Sequence, residues 1–337
     1  MTGKGSAARG VAVLGCGDMG RAHAAAWQER EDSRVVAVFD PDRERAEAMA
    51  AGTGAEVCES WQAAIEKPGV QAVSICTPIC FHAGMAGHAA KHGRHVLTEK
   101  AIALTLEDAD SMIAAAAAAG VKLVVAYQHR TFPQHRTWRS LVQRGILEGP
   151  LHVRFEDIRS IRPKPAMHRR SMNGGPVIDM AGHHFDLLRY FTGGEPLRVT
   201  AHGHCFGASK PELRNIEDPA VDAAEILVEY TGGHVLSTYI NWGLPAGYPG
   251  SFSASVRTAE VVSVPVKDGI AVRRGENEEL CETVPGLTGT AGRVEDLVSA
   301  IEADARPEVA GEDGRKALEV CLAALESIAT GKTVELA

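Results

Sequence analysis

The chain has 337 residues, 45% of them hydrophobic and 23% charged, a balance that excludes wholesale disorder and leaves room for two domains. A net charge of −8 disfavours a general nucleic-acid or anionic-membrane binder. No apolar run approaches the roughly 18 residues of a membrane-spanning helix.

Met1 to Gly10 is polar and basic, lacks the apolar core of a signal peptide, and reads as a frayed cytoplasmic start. Short apolar runs then alternate with helical segments. The runs are Val11–Leu14, Val35–Phe39, Ala72–Cys76, His95–Leu97 and Leu123–Ala126. They lack polar alternation, which suits strands buried on both faces of a parallel sheet. Arg43–Ala51 and Leu106–Ala119 are helical in composition, the latter with Thr105 as N-cap and Gly120 just past its end. Repeated β-then-α units predict a doubly wound Rossmann domain over residues 1–128.

After residue 128 the pattern changes. A helix is expected over Gln134–Arg144, then extended stretches at Leu151–Ser160, Arg198–Phe206, Ala223–Tyr230, Val235–Asn241 and Ser253–Val264. Gly232-Gly233 signals a hairpin. One helix, Pro176–Phe191, interrupts the strands, and Arg293–Asp304 and Gly314–Thr330 close the chain. The reading is an α+β domain over residues 129–337, built on a mostly antiparallel sheet with an open face. Such a face commonly pairs with another copy, so this domain is expected to bind substrate and to form a homodimer or homotetramer.

Gly15-Cys16-Gly17-Asp18-Met19-Gly20 follows the first strand and matches G-x-G-x-x-G. Gly15 permits the tight turn, Gly17 lets backbone approach a pyrophosphate, and Gly20 allows close helix–strand packing. The helix that starts there directs N–H groups and its positive end at phosphates. Asp40 ends the second strand, placed to accept the adenine-ribose hydroxyls and repel a 2′-phosphate, which favours NAD over NADP. Arg43 and Arg45 lie close enough in sequence to blur that preference.

The seven cysteines, at 16, 58, 76, 80, 205, 281 and 321, include no C-x-x-C pair and fit reduced thiols. Cys76, Cys80, His82, His88 and His92 form the densest group of metal-ligating types. Their spacing matches no standard zinc pattern, so no metal is assigned.

Ser74-Ile75-Cys76-Thr77-Pro78, then His82, and Gly93-Arg94-His95-Val96-Leu97-Thr98-Glu99-Lys100 follow the glycine turn in order. Tyr127-Gln128-His129-Arg130-Thr131-Phe132-Pro133, the stretch Gly174 to Asp186, and the closing residues Gly311 to Leu336 come next. Together these resemble the Gfo/Idh/MocA family, the glucose–fructose oxidoreductase and inositol dehydrogenase group, over essentially the whole chain. The resemblance implies an NAD(P)-dependent oxidoreductase acting on the CH–OH groups of sugars, inositols and related polyols. It implies cofactor contacts from Gly15, Gly17, Asp18, Met19, Gly20, Asp40, Arg43, Cys76, Thr77, Pro78, His82, Glu99, Lys100 and Gln128. It also implies that Lys100 reaches nicotinamide ribose and substrate, and that Asp179 and His183 face the nicotinamide. Where the family usually has proline after Glu-Lys, this chain has Ala101. A cis bond before a non-proline residue is disfavoured, so a trans bond is expected.

These residues also make chemical sense by themselves. Oxidation of a secondary alcohol needs a base for the hydroxyl proton while hydride leaves carbon, and histidine suits that role. Asp179 and His183, four apart on an expected helix, would share a face, with the carboxylate orienting the imidazole. The Lys100 ammonium would favour a developing alkoxide. His184 is the competing base, turned from the Asp179 face. The catalytic set is therefore Lys100, Asp179 and His183, which also touch substrate.

Arg159 to Arg170 carries five cationic side chains and no acid. Arg159, Arg162, His168 and Arg169 are candidates for an anionic sugar derivative, against the plainer reading of a solvated loop or subunit contact. Trp242 fits either a sugar-stacking face or the core. Three functions stay open: a dehydrogenase, an NAD-dependent glycosidase working by transient C3 oxidation and elimination, and a non-catalytic NAD-binding sensor.

Overall fold

The computed structural model describes residues 8–336. They form two compact units, residues up to 128 together with 287–315, and residues 129–286 together with 316 onward. The segment 287–315 thus departs from the expected single second domain of 129–337. Of the ten residues expected to fray, Arg9 and Gly10 are in a strand, and residues 1–7 lie outside the described residues.

In the first unit the chain runs β1 (Arg9–Leu14), α1 (Asp18–Gln28), β2 (Ser33–Phe39), α2 (Arg43–Thr53), β3 (Glu56–Val57), α3 (Trp61–Glu66) and β4 (Val70–Ile75). It continues through α4 (His82–Lys91), β5 (His95–Thr98), α5 (Leu106–Ala119) and β6 (Leu123–Val125). The strands form one parallel sheet in the order β3-β2-β1-β4-β5-β6. β1 and β4 are neighbours from which the chain winds outward in opposite directions, so their carboxyl ends open the crevice where α/β sheets bind ligands. Local signals set the helices. In α5 Thr105 Oγ1 accepts the Asp108 amide at 3.1 Å, and Gly120 stops the helix at φ 66°, a cap worth about 1 kcal/mol.

The second unit runs α6 (Pro133–Gln143), β7 (His152–Ser160), a π-helical turn at Val177–Ala181, α7 (Gly182–Thr192), β8 (Pro196–His204), β9 (Ala223–Tyr230) and β10 (Val235–Leu244). A meander follows, β11 (Ser251–Arg257), β12 (Val261–Val266), β13 (Gly269–Arg274) and β14 (Asn277–Glu282). The chain then forms α8 (Gly289–Glu302), α9 (Gly311–Thr330) and β15 (Val334–Glu335). The nine-stranded sheet has the order β14-β13-β12-β11-β7-β10-β9-β8-β15 and is antiparallel except between β7 and β10. Gly232 and Gly233, at φ 76° and 75°, turn β9 into β10. The stretch expected over Ser253–Val264 is two strands, because Thr258 N donates to Val261 O at 2.9 Å and reverses the chain. β13 has only a short apolar run, Ile270–Val272, and β14 has none. β14 is an exposed, Glu-rich edge, a composition that resists pairing with other chains.

The segment 287–315 belongs to the first unit for a packing reason. Val294, Leu297 and Val298 of α8 complete the core cluster formed by Val11, Trp27, Val35 and Leu97. Among the described residues no helix is long and apolar enough to cross a membrane.

Candidate active site

The glycine turn is determined by backbone contact. Gly15 sits at φ 89°, and a Cβ there would lie 2.6 Å from Cys76 O; a Cβ on Gly20 would lie 1.8 Å from Gly15 O. No side chain fits at either position, so β1, α1 and the end of β4 close on one another through bare backbone. Gly17 caps α1 in an extended conformation with no side-chain cap. Asp40 Oδ2 accepts the Cys16 amide at 2.7 Å and Oδ1 the Asp42 amide at 2.8 Å. The carboxylate therefore joins the glycine turn to the end of β2, and its remaining lone pairs suit ribose hydroxyls. A cradle that bars Cβ atoms at a helix start, flanked by a carboxylate, fits a dinucleotide.

Beneath it runs a buried polar chain. Glu99 Oε1 meets His23 Nε2 at 3.0 Å, His23 Nδ1 meets Ser74 Oγ at 3.1 Å, and Trp27 Nε1 donates to Ser74 Oγ at 2.8 Å. Glu99 Oε2 accepts the Lys100 amide at 3.3 Å. The carboxylate is thus held on both sides, and it fixes the backbone from which Lys100 springs. His82 is buried, with Nδ1 3.0 Å from Ala101 O and Nε2 3.0 Å from Thr77 O. Burial holds its pKa below the ordinary value. It braces the loops that carry Thr77 and Ala101. Burial and the Asp40 charge push the Cys16 thiol up to about 12, and burial raises Cys76 as well. Neither is a nucleophile near neutral pH. All seven cysteines are free thiols.

In the second unit Asp179 is buried within the π turn, where Oδ2 accepts from Asn173 Nδ2 at 3.2 Å. With i→i+5 bonding there, an offset of four residues no longer marks one helical turn, which corrects the expected single α-helix over Pro176–Phe191. π turns often occur at functional sites. His183 is buried at the start of α7, its ring stacked on His129 with centroids 3.9 Å apart and planes at 13°. His184 turns the other way. It stacks on Phe155 at 4.4 Å, places Nδ1 2.8 Å from Thr238 Oγ1, and is held by burial down at about 3. A base so weak does not compete with His183. α7 is anchored by a buried bidentate pair, Arg130 Nε to Asp186 Oδ2 at 2.8 Å and Nη2 to Oδ1 at 2.5 Å.

Two family models match the chain. One is described as the oxidoreductase family, NAD-binding Rossmann fold, over residues 9–127, and the other as the GFO/IDH/MocA C-terminal domain over residues 135–262. The chain belongs to the Gfo/Idh/MocA oxidoreductase family. It is 28% identical to an inositol 2-dehydrogenase of Rhizobium meliloti, over 96% of this chain and 98% of the relative. It is also 28% identical to a 1,5-anhydro-D-fructose reductase of Ensifer adhaerens, over 90% and 91%. Among solved structures it is similar to the aldose-aldose oxidoreductase from Caulobacter crescentus complexed with glycerol. That match has a TM-score of 0.83 and 25% identity, covering 98% of this chain and 100% of the other.

Against the family pattern, the Lys100–Ala101 bond is cis, which corrects the expected trans bond. Burial and hydrogen bonding fix the segment without proline: Ala101, Ile102 and Ala103 are buried, and Ala101 O is bound by His82. Arg43 is exposed and paired with Glu47 and Glu59, and Arg45 with Asp42. Asp18 is paired with Arg21 at 2.5 Å. Thr77 Oγ1 contacts Met85 Sδ at 3.6 Å, and Pro78 caps the turn 79–81. Met19 lies in the first turn of α1, and Gln128 closes the first unit.

The cationic loop is less available than its sequence suggests. Arg159 grips buried Asp157 at 2.6 and 2.7 Å, and Arg169 binds Asp218 at 3.0 Å. His168 is buried with Nε2 accepting the Arg162 amide at 2.9 Å. Trp242 is 1% exposed, with the Arg162 guanidinium 5.8 Å from its ring centroid. It is a core residue with no ring face for a sugar, and His168 is a loop brace. The metal-ligating group also rearranges: His88 and His92 approach Glu66, and Cys76, Cys80 and His82 are not part of that set.

Sequence reasoning passed over His23, His129, Asn173 and the Arg130–Asp186 pair. His23 had a readable signal, a polar residue in the Ala-rich stretch of α1 one turn before Trp27. The pairings of His129 with His183 and of Arg130 with Asp186 span more than fifty residues, and the bond from Asn173 to Asp179 depends on the π turn.

Proposed function

We propose that the protein is an NAD-dependent dehydrogenase that oxidises a secondary hydroxyl of a sugar, inositol or glycoside. The observation that carries this reading is the glycine cradle joined to Asp40, in a chain of this family that retains Lys100, Asp179 and His183. NAD supplies, when bound, the acceptor for hydride. His183 takes the hydroxyl proton, and its ring plane is fixed by His129. Asp179 stabilises the imidazolium by its charge, and the Lys100 ammonium lowers the energy of the developing alkoxide. NAD is favoured over NADP because Asp40 is a carboxylate and Arg43 and Arg45 already pair with acids. A neutral polyol ring is favoured over an anionic one, because Arg159 and Arg169 are bound to Asp157 and Asp218. The small-molecule relatives named above support the substrate class.

The decisive experiment is a panel of polyols, sugars, uronates and glycosides read by NADH formation and product analysis, with NAD and NADP in parallel. Net NADH from a neutral polyol is expected; sugar release without net NADH would replace this reading with the redox glycosidase. His183→Asn is expected to lower turnover by about 10²–10⁴-fold while NAD still binds. Full turnover in that variant would remove the imidazole from the mechanism. The exposed sheet face, with Leu227, Val262 and Leu280 on its surface, suits self-association, and a monomer in light scattering would rule that out.

A further inference from the structure

We propose that Glu66, His88 and His92 form a binding site for a borderline divalent metal ion, zinc in the first instance, on the surface of the dinucleotide-binding unit. His88 lies in the last turn of α4, His92 caps that helix one turn on, and Glu66 ends α3. One ligand atom from each lies within 4.8 Å of the others. His88 Nε2 is 2.8 Å and His92 Nε2 3.9 Å from Glu66 Oε1. Tetrahedral donors about 2.1 Å from zinc are about 3.4 Å from one another, so these separations bracket the required spacing. Side-chain shifts of about an ångström or less complete it.

The surroundings prepare the ligands. His92 Nδ1 lies 2.9 Å from His88 O, a carbonyl that only accepts, so Nδ1 carries the proton. The proton on that nitrogen leaves the Nε2 lone pair directed at Glu66, as a ligating imidazole requires. The two rings lie side by side with centroids 4.4 Å apart, and Trp61 packs edge-on against His88 at 5.2 Å. That contact limits the rotamers of His88, so less freedom is lost on binding. Two imidazoles and one carboxylate select zinc, nickel or copper over calcium and magnesium, which prefer all-oxygen sets. Three protein donors leave the fourth position to water. A metal here would tie α3 to α4, independently of the proposed dehydrogenase reaction.

The test uses the full-length protein without a polyhistidine tag. Zinc titration by calorimetry is expected to show one saturable equivalent, weakened at least about tenfold by His88→Ala and by His92→Ala, and weakened also by Glu66→Gln. Zinc should raise the Tm of the wild type and not of either histidine variant. Electron paramagnetic resonance with Cu²⁺ should report two imidazole nitrogens in the wild type and one in His92→Ala. NAD affinity should stay unchanged in these variants, which verifies that they fold. Absence of a saturable equivalent would overturn the site. So would an equivalent that survives His92→Ala, or one lost with Cys80→Ser.

Discussion

The candidate residues of the two units are determined in different ways. The glycine turn of the first unit is fixed by backbone: Gly15 and Gly20 sit where a Cβ would meet a carbonyl at 2.6 and 1.8 Å. In the second unit His183 is placed by side chains, stacked on His129 and carried on a helix that Arg130 pins through Asp186. A backbone-determined site tolerates no added atom but has few partners to lose. A side-chain-determined site can absorb some substitutions, yet it depends on pairs whose members lie more than fifty residues apart.

The sharpest way to break this contrast is Gly20→Ala. The added methyl has no space, so the turn must shift; NAD binding should be lost and stability should fall by more than about 4 kcal/mol. A variant that binds NAD normally by calorimetry would show the turn to be plastic. Next in size is Arg130→Met, which leaves the buried Asp186 carboxylate without its guanidinium. Urea denaturation should show a loss of about 3–5 kcal/mol, and Asp186→Asn in the same background should recover part of it.

Acid should act on the buried histidines of the second unit. His135 and His184, both in the second unit, are held by burial at about 4 and about 3, against an ordinary 6.5. The unfolded chain therefore binds protons first, and stability falls as pH drops below 6.5, continuing toward the folded values. Each group contributes a slope of at most about 1.4 kcal/mol per pH unit. Denaturation series between neutral pH and pH 4.5 should show this loss, and His184→Gln should flatten it; an unchanged slope would mean that His184 is not buried neutral. The smallest effect is expected of Asp40→Ala, about tenfold weaker NAD binding, 1.4 kcal/mol, with NADP less affected. Equal weakening of both would mean that Asp40 serves only the Cys16 and Asp42 amides.

The same contrast explains what the sequence makes legible. The parallel sheet, the hairpin at Gly232-Gly233 and the cap of α5 follow from local rules, as does the glycine fingerprint. A two-residue strand such as β3 is too short to show a period, and β14 is too exposed to show an apolar one. The π turn around Asp179 changes the helical offset in a way that composition does not announce. Trp242 and His168 have residue types suited to a sugar site, and only tertiary packing makes them core. Two of the five cations of the loop are held by acids, Arg159 by Asp157 just before it and Arg169 by the distant Asp218.

The ordering of synthesis gives the segment 287–315 a last consequence. When residue 128 leaves the ribosome, the Rossmann unit still lacks Val294, Leu297 and Val298, and the chain must first produce the entire nine-stranded sheet apart from β15. A nascent or truncated protein ending near residue 286 would expose the α1 surface that α8 later covers. This enzyme cannot be divided by a single cut into two self-sufficient pieces.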